Sequence, residues 1–428
     1  MRIALKTFGC KVNQAESDLF AAAVLSGGMT CVGFQECADI YVINSCSVTK
    51  EAERKANRCI RRIMRDNPDA IVLLTGCYAR RLEKSGERPF GEKVIHLVSP
   101  QKIAEILNQV EEITGETLSL STTPYSLRSR VWLKVADGCE HFCSYCIVPH
   151  LRGPVKSISP QDVLQTAKDL EERGYREIVL CGINLAWYGK ERENVNLLRL
   201  LEMLVEETRY ARFRLSSLEP FAVNHSFFTR CLALGERICP HFHLPMQSGS
   251  DAILQKMKRG YSVGEFLDLV KGIRSEHPLV AITSDVMVGF PGESDEHFEQ
   301  TAMCMQKADF SRTHLFRYSS RPGTDAAILE REEGVPEDRK RERERQLRII
   351  ADESAQRYRK KFIGKSVPVL VENIEGIFGF GHSDTYLPVR FLCPLHIKEG
   401  EIVQVFVESD DKDFLFGETA NYKEKCMH

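Results

Sequence analysis

Short apolar runs alternate with amphipathic helical segments over roughly the first 125 residues, and this alternation limits the fold more than any other feature. The runs IALKTF, ADIYVINS and AIVLLTG have the length and composition of buried strands. Because parallel strands need a long crossover connection, a strand, a helix and a second strand in this order form a βαβ unit. The sequence therefore predicts an N-terminal α/β domain built on a parallel sheet.

Three cysteines, Cys10, Cys46 and Cys77, each come at the carboxyl end of one of these predicted strands. The carboxyl ends of parallel strands lie on one edge of a sheet, where ligands commonly bind. We therefore expect these thiols to converge in space although they are far apart in sequence. Cys59 lies inside a predicted helix instead, and we interpret it as a small apolar side chain of the core.

The alternation resumes between roughly residues 128 and 325. Six runs are predicted as successive strands: VWLKVADG, EIVLCGI, RFRLSSL, HFHLPM, ITSDVMVGF and RTHLFRYSS. Six strand–helix units favour a barrel or partial barrel, whose chemistry takes place at the carboxyl ends of the strands.

The last part of the chain changes in character. The segment PEDRKRERERQLRIIADESAQRYRKK is predicted as a solvated helix with opposite charges at helical spacing. After it, SVPVLVE, LPVRFL, IVQVFVE and FLFGETA read as short strands of a small β-barrel. We therefore predict three domains, at residues 1–125, 128–358 and 362–428.

Cysteine usage and charge limit the compartment and the partners. The chain has 15 cysteines, and its start, MRIALKTFGC, contains no long apolar stretch of a signal peptide. This combination favours a cytoplasmic location with reduced thiolates. No apolar run approaches the roughly 20 residues of a membrane span, so no membrane partner is expected. The net charge is −2, so any contact with nucleic acid must come from local basic patches.

The stretch DGCEHFCSYCIVP concentrates Cys139, Cys143 and Cys146 directly after the first predicted barrel strand. One interpretation is a zinc site, which wants four nitrogen or sulfur ligands and would take His141 or His150 as the fourth. The other is an iron–sulfur cluster, which Cys thiolates hold in compact loops. Three cysteines on a four-iron cluster leave one iron open, and an open position is typical of catalytic metal sites.

The C-x-x-x-C-x-aromatic-C motif before six strand–helix units resembles the radical S-adenosylmethionine (SAM) enzymes. The resemblance implies that SAM completes the coordination of the open iron and is cleaved to a radical that attacks an unactivated C–H bond. It also implies SAM contacts near the motif and at later strand ends, although each of these residues could serve a turn instead. The candidates are Tyr145, Gly182, Glu219, Gln247 and Gly289.

Over the whole chain the sequence resembles a narrower family, the radical SAM methylthiotransferases. The matching stretches are FGCKVNQAES, NSCSVTKEAERKANR, LLTGCYAR, WLKVADGCEHFCSYCIVPHLRG, VGFPGES and FRYSSRPGTDAA. The resemblance implies a second, auxiliary 4Fe-4S cluster on Cys10, Cys46 and Cys77 for sulfur delivery, and no catalytic side chains beyond the cluster ligands. It further implies a TRAM-like C-terminal β-barrel, tRNA as partner, an electron donor such as flavodoxin or ferredoxin, and a sulfur source.

The branches of this family differ in substrate. The run Lys11-Val12-Asn13 after Cys10 and the run Ser47-Val48-Thr49 after Cys46 resemble the branch that methylthiolates C2 of N6-threonylcarbamoyladenosine next to the tRNA anticodon. The alternatives are isopentenyladenosine in tRNA or an aspartate of a ribosomal protein. An alternative of another class is a non-catalytic, metal-binding RNA-binding protein.

Basic residues point separately to RNA. Five arginines recur at helical spacing after Cys46, so one helix face should be positive and available to phosphates; a plain solvated face is the alternative. They are Arg54, Arg58, Arg61, Arg62 and Arg65. Arg152, after the cysteine loop, is a further candidate RNA contact, with a structural ion pair as its alternative.

Overall fold

The structure is a computed structural model that describes residues 1–90, 95–97, 103–115, 123–126 and 128–419. Its elements form the three predicted parts: an α/β domain with a parallel sheet, a six-stranded partial barrel and a closed C-terminal β-barrel. The boundaries predicted at residues 125, 128, 358 and 362 stay predictions.

The N-terminal part is a five-stranded sheet with helices on both faces. Its elements are β1 (Arg2–Phe8), α1 (Lys11–Ser26), β2 (Thr30–Val32), β3 (Ile40–Ser45), α2 (Lys50–Asp66), β4 (Ile71–Gly76), α3 (Cys77–Ser85), β5 (Ile95–Leu97) and α4 (Ile103–Thr114). The strand order is β2–β1–β3–β4–β5, and every neighbouring pair is parallel. Strand β3 is buried along its whole length because apolar helix faces cover both sides of the sheet.

The central part contains the six predicted strands as well as short additional elements. Its strands are β6 (Val131–Lys134), β7 (Ala136–Asp137), β8 (Lys156–Ser157), β9 (Glu177–Cys181), β10 (Arg212–Leu215), β11 (His241–His243), β12 (Ala281–Val288) and β13 (Arg312–Arg317). Its helices are α5 (Val148–Arg152), α6 (Pro160–Glu172), α7 (Leu197–Glu207), α8 (His225–Ala233), α9 (Asp251–Lys256), α10 (Val263–Glu276), α11 (Asp295–Ala308), α12 (Asp325–Glu333) and α13 (Glu337–Lys360).

Six parallel strands of this part form an open barrel. Strands β6, β9 and β10 make one parallel group, and β11, β12 and β13 make another. Parallel bridges from Phe213 to Ile238 and from Ser217 to His243 join the two groups. The order along the barrel is therefore β6–β9–β10–β11–β12–β13, and the carboxyl ends of all six strands lie at one rim.

The charge-rich helix α13 differs from the solvated helix that its composition predicts. Leu347, Ala351 and Tyr358 are buried along one face. Arg343, 5% exposed, pairs with Glu293 at 2.7 Å. The helix therefore packs on the barrel beside β13, and only its other face is the solvated, ion-paired surface that the charge pattern indicates.

The C-terminal part is a closed five-stranded barrel. Its strands are β14 (Ser366–Glu375), β15 (Phe378–Ser383), β16 (Pro388–Leu392), β17 (Ile402–Asp410) and β18 (Leu415–Thr419), in the order β14–β15–β16–β18–β17. It docks on the amino-terminal end of the partial barrel, where Arg214 donates to the carbonyl of Asp384 at 2.7 Å. The Tyr386 ring lies under the guanidinium groups of Arg214 and Arg130, at 4.8 and 5.1 Å from its centre. Within the described residues, none of the helices has the length and apolar character that crossing a membrane requires.

Candidate functional site

The loop that carries Cys139, Cys143 and Cys146 begins at a position that only glycine can occupy. Gly138 has φ +77°, and a Cβ there would lie 1.9 Å from the carbonyl oxygen of Pro154. Backbone bonds then close the loop, since the amide of Cys139 donates to Gly153 at 3.0 Å and that of Cys146 to Cys143 at 2.9 Å. The three thiols are therefore held in one compact turn at the carboxyl end of the first barrel strand.

The surroundings of this loop suit thiolates that bind a cationic cluster. Burial raises the pKa of the Cys143 thiol, and the nearby guanidinium of Arg259 lowers it in part. Burial likewise raises the pKa of Cys139 and Cys146. Bound iron would compensate the charge of the deprotonated thiols, as metal centres do. The donor set therefore fits a three-thiolate iron–sulfur site.

The zinc interpretation finds no support in the arrangement of side chains. Among the described residues, no three His, Cys, Asp or Glu side chains gather around a position for a single metal ion. His141 stacks on Phe221 with 3.9 Å between ring centres, and His150 packs edge-on against Phe142 at 5.5 Å. A cluster of several irons takes its thiolates at separate corners, so it does not require the three sulfurs to converge on a single position.

Arg259 is a site residue that the sequence did not reveal. Its side chain is 1% exposed, and Nη1 donates to the Sγ of Cys143 at 3.3 Å. Nη2 donates to the carbonyl of Pro245 at 3.1 Å and also pairs with Glu219. The arginine therefore ties the cysteine loop to the ends of the third and fourth barrel strands. Nothing in the surrounding KMKRG run signals this role.

Four of the five predicted SAM contacts lie around this loop. Tyr145 is half-buried and packs edge-on against Phe290 at 6.4 Å between ring centres. Glu219 reaches the loop through Arg259, and Gly182 follows β9 directly. Gln247 has φ +65°, and its Oε1 is buried without a hydrogen-bond partner among the described residues. A buried amide oxygen without a partner is one that a bound ligand would satisfy.

The fifth, Gly289, packs closely against helix α13, and its assignment as a SAM contact stays a prediction. It has φ +71°, and a Cβ would lie 2.3 Å from Cγ of Lys340 on α13. Its amide donates to Glu293 Oε1 at 2.9 Å. The glycine is needed because α13 crosses closely at this point, and no ligand is required to account for it.

Asn184 is a further residue that sequence reasoning missed. It lies beside Cys139 after β9, in the stretch CGIN, and is 1% exposed. Its side-chain amide lies close enough to the Cys139 thiol to lower the pKa of that group in part, and neither amide atom has another hydrogen-bond partner in the described part of the chain. A polar residue directly after the glycine-containing strand end is the signal that could have found it. We add it to the candidate cofactor contacts.

The second cysteine set lies at one edge of the N-terminal sheet. Phe8 pairs with Ser45, and Ser45 pairs with Gly76, so three neighbouring strands end flush. Cys46 and Cys77 follow their strands directly, and Cys10 follows its strand after one residue, Gly9. A Cβ on Gly9 would lie 3.2 Å from the Cβ of Cys46, so the two chain segments are in close contact. The predicted convergence of the three thiols is therefore present in the backbone register.

Gly76 makes this approach of the strands possible. Its φ is +88°, and a Cβ would lie 2.4 Å from the carbonyl oxygen of Ser45. Burial, together with the neighbouring Cys77 and Cys10, raises the pKa of Cys46 to about 12. The amide of Val48 donates to the Sγ of Cys46 at 3.3 Å. These thiols need a compensating cation for the same reason as the first set.

A buried polar network joins the two cysteine sets through Arg152. The guanidinium donates to the Sγ of Cys77 at 3.2 Å, to Glu16 at 2.9 Å and to Asp137 at 3.0 Å. Lys134 pairs with the same two carboxylates at 2.9 and 2.7 Å. Because Asp137 precedes the cysteine loop by two residues, the network fixes the N-terminal domain against the first barrel strand.

This placement corrects the prediction of an RNA contact at Arg152. The side chain is 1% exposed and is surrounded by its ion-pair partners, so it does not face a phosphate backbone. The alternative, a structural ion pair, is what the structure shows. Arg321 has a similar position, 3% exposed, where it donates to Val48 at 3.2 Å and to Glu53 at 3.0 Å.

The other five predicted RNA contacts lie on the exposed face of α2. A surface groove of about 610 Å³ is lined by Arg54, Asn57, Arg58, Arg61, Arg62 and Arg65. Arg62 and Arg65 pair with Asp66 at 3.3 and 2.8 Å, whereas Arg58 and Arg61 have no ion-pair partner among the described residues. The face is therefore positive and accessible, and the helix that carries it begins four residues after Cys46.

Comparisons with known proteins agree with this geometry. Residues 2–96 match the family described as Uncharacterized protein family UPF0004, and residues 133–305 match the Radical SAM superfamily. Proteins named threonylcarbamoyladenosine tRNA methylthiotransferase MtaB are similar to the chain: that of Thermotoga maritima is 35% identical and that of Bacillus subtilis 33%. Each alignment covers 91% of this chain, and 91% and 90% of the relatives, respectively.

Other similar proteins are named for a different tRNA nucleoside. A tRNA-2-methylthio-N(6)-dimethylallyladenosine synthase of Syntrophotalea carbinolica is 33% identical, over 86% of this chain and 87% of the relative. Among solved structures, the radical SAM methyltransferase TsrM of Kitasatospora setae has a TM-score of 0.52 at 14% identity, covering 76% of this chain and 77% of that one. That likeness concerns the fold alone.

Proposed function

We propose that this chain, which belongs to the radical SAM methylthiotransferase family acting on tRNA, methylthiolates C2 of N6-threonylcarbamoyladenosine next to the anticodon. The relatives named for this substrate match nearly the whole chain. The runs Lys11-Val12-Asn13 and Ser47-Val48-Thr49 support the same branch. The chain is an enzyme of this family, and its radical SAM part uses SAM with a 4Fe-4S cluster.

One observation carries the proposal: the chain presents two three-cysteine sets, one at the rim of the barrel and one at a sheet edge, joined by the Arg152 network. Cys139, Cys143 and Cys146 would hold the first cluster, and Cys10, Cys46 and Cys77 a second, auxiliary cluster. With SAM bound, the first supplies the radical that activates the substrate carbon and the second supplies the methylthio sulfur.

The side chains around the clusters position these groups rather than react. Arg259 donates to a first-set sulfur, and Arg152 donates to a second-set sulfur. Hydrogen bonds to cluster sulfurs orient the ligands and set the reduction potential. Tyr145, Gly182, Glu219 and Gln247 would bound the SAM site, with Asn184 added from the structure. No side chain beyond the cluster ligands is assigned a catalytic role.

The remaining partners follow from this chemistry. The basic face of α2 would bind tRNA phosphates beside the auxiliary site. An electron donor such as flavodoxin or ferredoxin would reduce the first cluster, and a sulfur source would replace the sulfur that each turnover consumes. Because the substrate is tRNA, we infer a cytoplasmic location.

Iron analysis and mass spectrometry test the proposal. We expect about eight irons per chain, four for each cluster. Nucleoside mass spectrometry of tRNA should show loss of the methylthio mark on threonylcarbamoyladenosine in cells without the gene. Loss of the mark on isopentenyladenosine instead would establish the other branch. An unchanged set of tRNA nucleosides, with a methylthio aspartate lost from a ribosomal protein, would overturn the tRNA assignment.

Cysteine variants separate the two sets. Replacing Cys139, Cys143 and Cys146 by alanine should abolish reductive SAM cleavage. Replacing Cys10, Cys46 and Cys77 should retain some SAM cleavage and stop thiolation. Cys59→Ala, in the same N-terminal domain, is the matched control and should retain both activities. Methylthio product from the second triple variant would refute the auxiliary cluster.

A further inference from the structure

The inner face of the partial barrel is divided into a filled half and an open half. On the β6 and β9 side, Val12 and Ala15 of α1 pack against Trp132, Val179 and Cys181. Because successive side chains of a strand alternate between its two faces, Val179 and Cys181 point to the side opposite Leu180, which belongs to the main barrel core. Helix α1 therefore fills this half with apolar side chains.

The open half, on β11 to β13, carries a row of polar side chains. His243 Nδ1 lies 2.9 Å from Thr283 Oγ1, and His243 Nε2 lies 3.4 Å from Asp285 Oδ1. Asp285 pairs in register with His314 on the neighbouring strand. The Asp285 side chain is 31% exposed, and His314 is also exposed. A hydrogen-bonding surface thus remains partly accessible on this half of the barrel.

Lys11 lies between the two halves. It follows Cys10 and is half-buried, and its ammonium is within electrostatic range of Arg214, Cys181 and Asp285, which lie on three different strands. That range of neighbours places the ammonium inside the barrel. It has no hydrogen-bond or ion-pair partner among the described residues.

The neighbouring Arg214 differs in this respect. Its guanidinium pairs with Glu177 at 2.9 Å and donates to the carbonyls of Ser383 and Asp384 at 3.0 and 2.7 Å. Arg214 is therefore satisfied within the protein, whereas Lys11 is not. A half-buried ammonium without a partner costs free energy, and an anionic ligand would remove that cost.

We propose that the open half is the pocket for the N6 substituent of the substrate, in which Lys11 binds a carboxylate and the row His243, Asp285 and His314 hydrogen-bonds hydroxyl and amide groups. The threonylcarbamoyl group contains all of these functions, so the inference rests on the proposed function and deepens it. An isopentenyl group in the same place would leave the ammonium and the polar row unpaired, and such a mismatch rejects a ligand strongly.

The test uses the complete enzyme with reconstituted clusters and three anticodon stem-loop RNAs. They carry threonylcarbamoyladenosine, its neutral carboxamide analogue, or isopentenyladenosine. For each, kcat/KM for methylthio product and the rate of SAM cleavage are measured. We expect kcat/KM for the carboxylate RNA to exceed kcat/KM for the carboxamide RNA by on the order of 10- to 100-fold, which is the range for a hydrogen bond to a charged group.

Lys11→Met should remove this preference and lower kcat/KM only for the carboxylate RNA. His314 is far in sequence from the proposed cluster ligands, so its replacement tests the pocket separately from the clusters. His314→Ala should lower kcat/KM for the carboxylate RNA by about tenfold, and the iron content and the rate of SAM cleavage should not change. His225→Ala, on the outer helix α8, is the matched control and should change neither.

Two outcomes overturn the pocket while the proposed function stands. One is wild-type enzyme that modifies carboxylate and carboxamide RNA equally well. The other is a Lys11→Met variant that keeps its full iron content and still prefers carboxylate RNA over carboxamide RNA as strongly as the wild-type enzyme does. If Lys11→Met loses iron, the pocket is tested by two other results: the preference of the wild-type enzyme for carboxylate over carboxamide RNA, and the effect of His314→Ala on kcat/KM. Wild-type enzyme that modifies isopentenyladenosine and not threonylcarbamoyladenosine refutes the proposed function itself, so the two failures are distinguishable.

Discussion

Replacement of Arg152 by methionine tests whether the two halves of the site are held together by one buried network. The variant leaves Glu16 and Asp137 in the interior without their shared guanidinium. Breaking a buried pair by removing one partner costs about 3–5 kcal/mol. Lys134 still contacts both carboxylates, at 2.9 and 2.7 Å, so we expect a value near the lower end, about 3 kcal/mol.

The expected shift in melting temperature follows from chain length. Unfolding entropy is about 2.1 cal/mol/K per residue, or about 0.9 kcal/mol/K for 428 residues that unfold together. A loss of about 3 kcal/mol therefore lowers Tm by roughly 3 °C, measured by calorimetry on the holoenzyme. Loss of the donor to Cys77 should also lower the reduction potential of the proposed auxiliary cluster.

The matched control is Arg80→Ala. Arg80 pairs with Glu83 at 2.9 Å on the surface of α3, where both side chains are more than one-third exposed. Such a pair contributes about 0.3–0.5 kcal/mol, so its Tm should stay within about 1 °C of the wild type. If Arg152→Met shifts Tm no more than this control does, the network does not couple the domains, and the reasoning fails.

Three further predictions concern other parts of the molecule. Arg58→Gln combined with Arg61→Gln should weaken tRNA binding and reduce the slope of log K against log salt by about two, measured by filter binding; Arg80→Gln should leave the slope unchanged. Burial raises the pKa of Asp18 to about 7, above its value in the unfolded chain. The buried ionised carboxylate therefore destabilises the fold fully above about pH 7. This cost shrinks as the pH falls from about 7 to 4 and is absent below about pH 4. Asp18→Asn should therefore raise Tm at pH 8, with a gain that shrinks on acidification; an equal gain at pH 5 and pH 8 would contradict this. Gly76→Ala should force β4 away from Ser45 and lower iron from about eight to about four per chain while SAM cleavage persists; full iron content would show that the close approach is dispensable.

Much of the fold could be predicted from local pattern alone. The strand–helix alternation predicted the parallel sheet and the six barrel strands, because hydrophobic period and strand-end chemistry are local properties. The short strand β15 was missed, since FGFGHS has glycines where a strand pattern would show apolar residues. The buried face of α13 was missed for a similar reason: charged residues dominate its composition, and only a few apolar ones make the contact.

The site could be predicted only in part. The cysteines stand out in the sequence because one set forms a compact motif after a predicted strand, and each member of the other set lies at the carboxyl end of its own predicted strand. Arg259 and Asn184 do not stand out, because their contacts with Cys143 and Cys139 join positions far apart in sequence. The sequence predicts an RNA contact at Arg152 because a charge near a motif looks the same in sequence whether it faces solvent or the interior.

The residues that can carry the chemistry are readable in the sequence: one set of three cysteines in a loop after a strand, a second set at the ends of three strands, and glycines beside both. How the two sets lie relative to each other depends on the packing of the domains, which only the structure shows. The tertiary structure placed Arg152 between them, filled half of the barrel with α1 and left Lys11 without a partner in the other half. The physical reason is that local pattern reports which face of an element is apolar, whereas the partner of a buried charge depends on how whole domains pack.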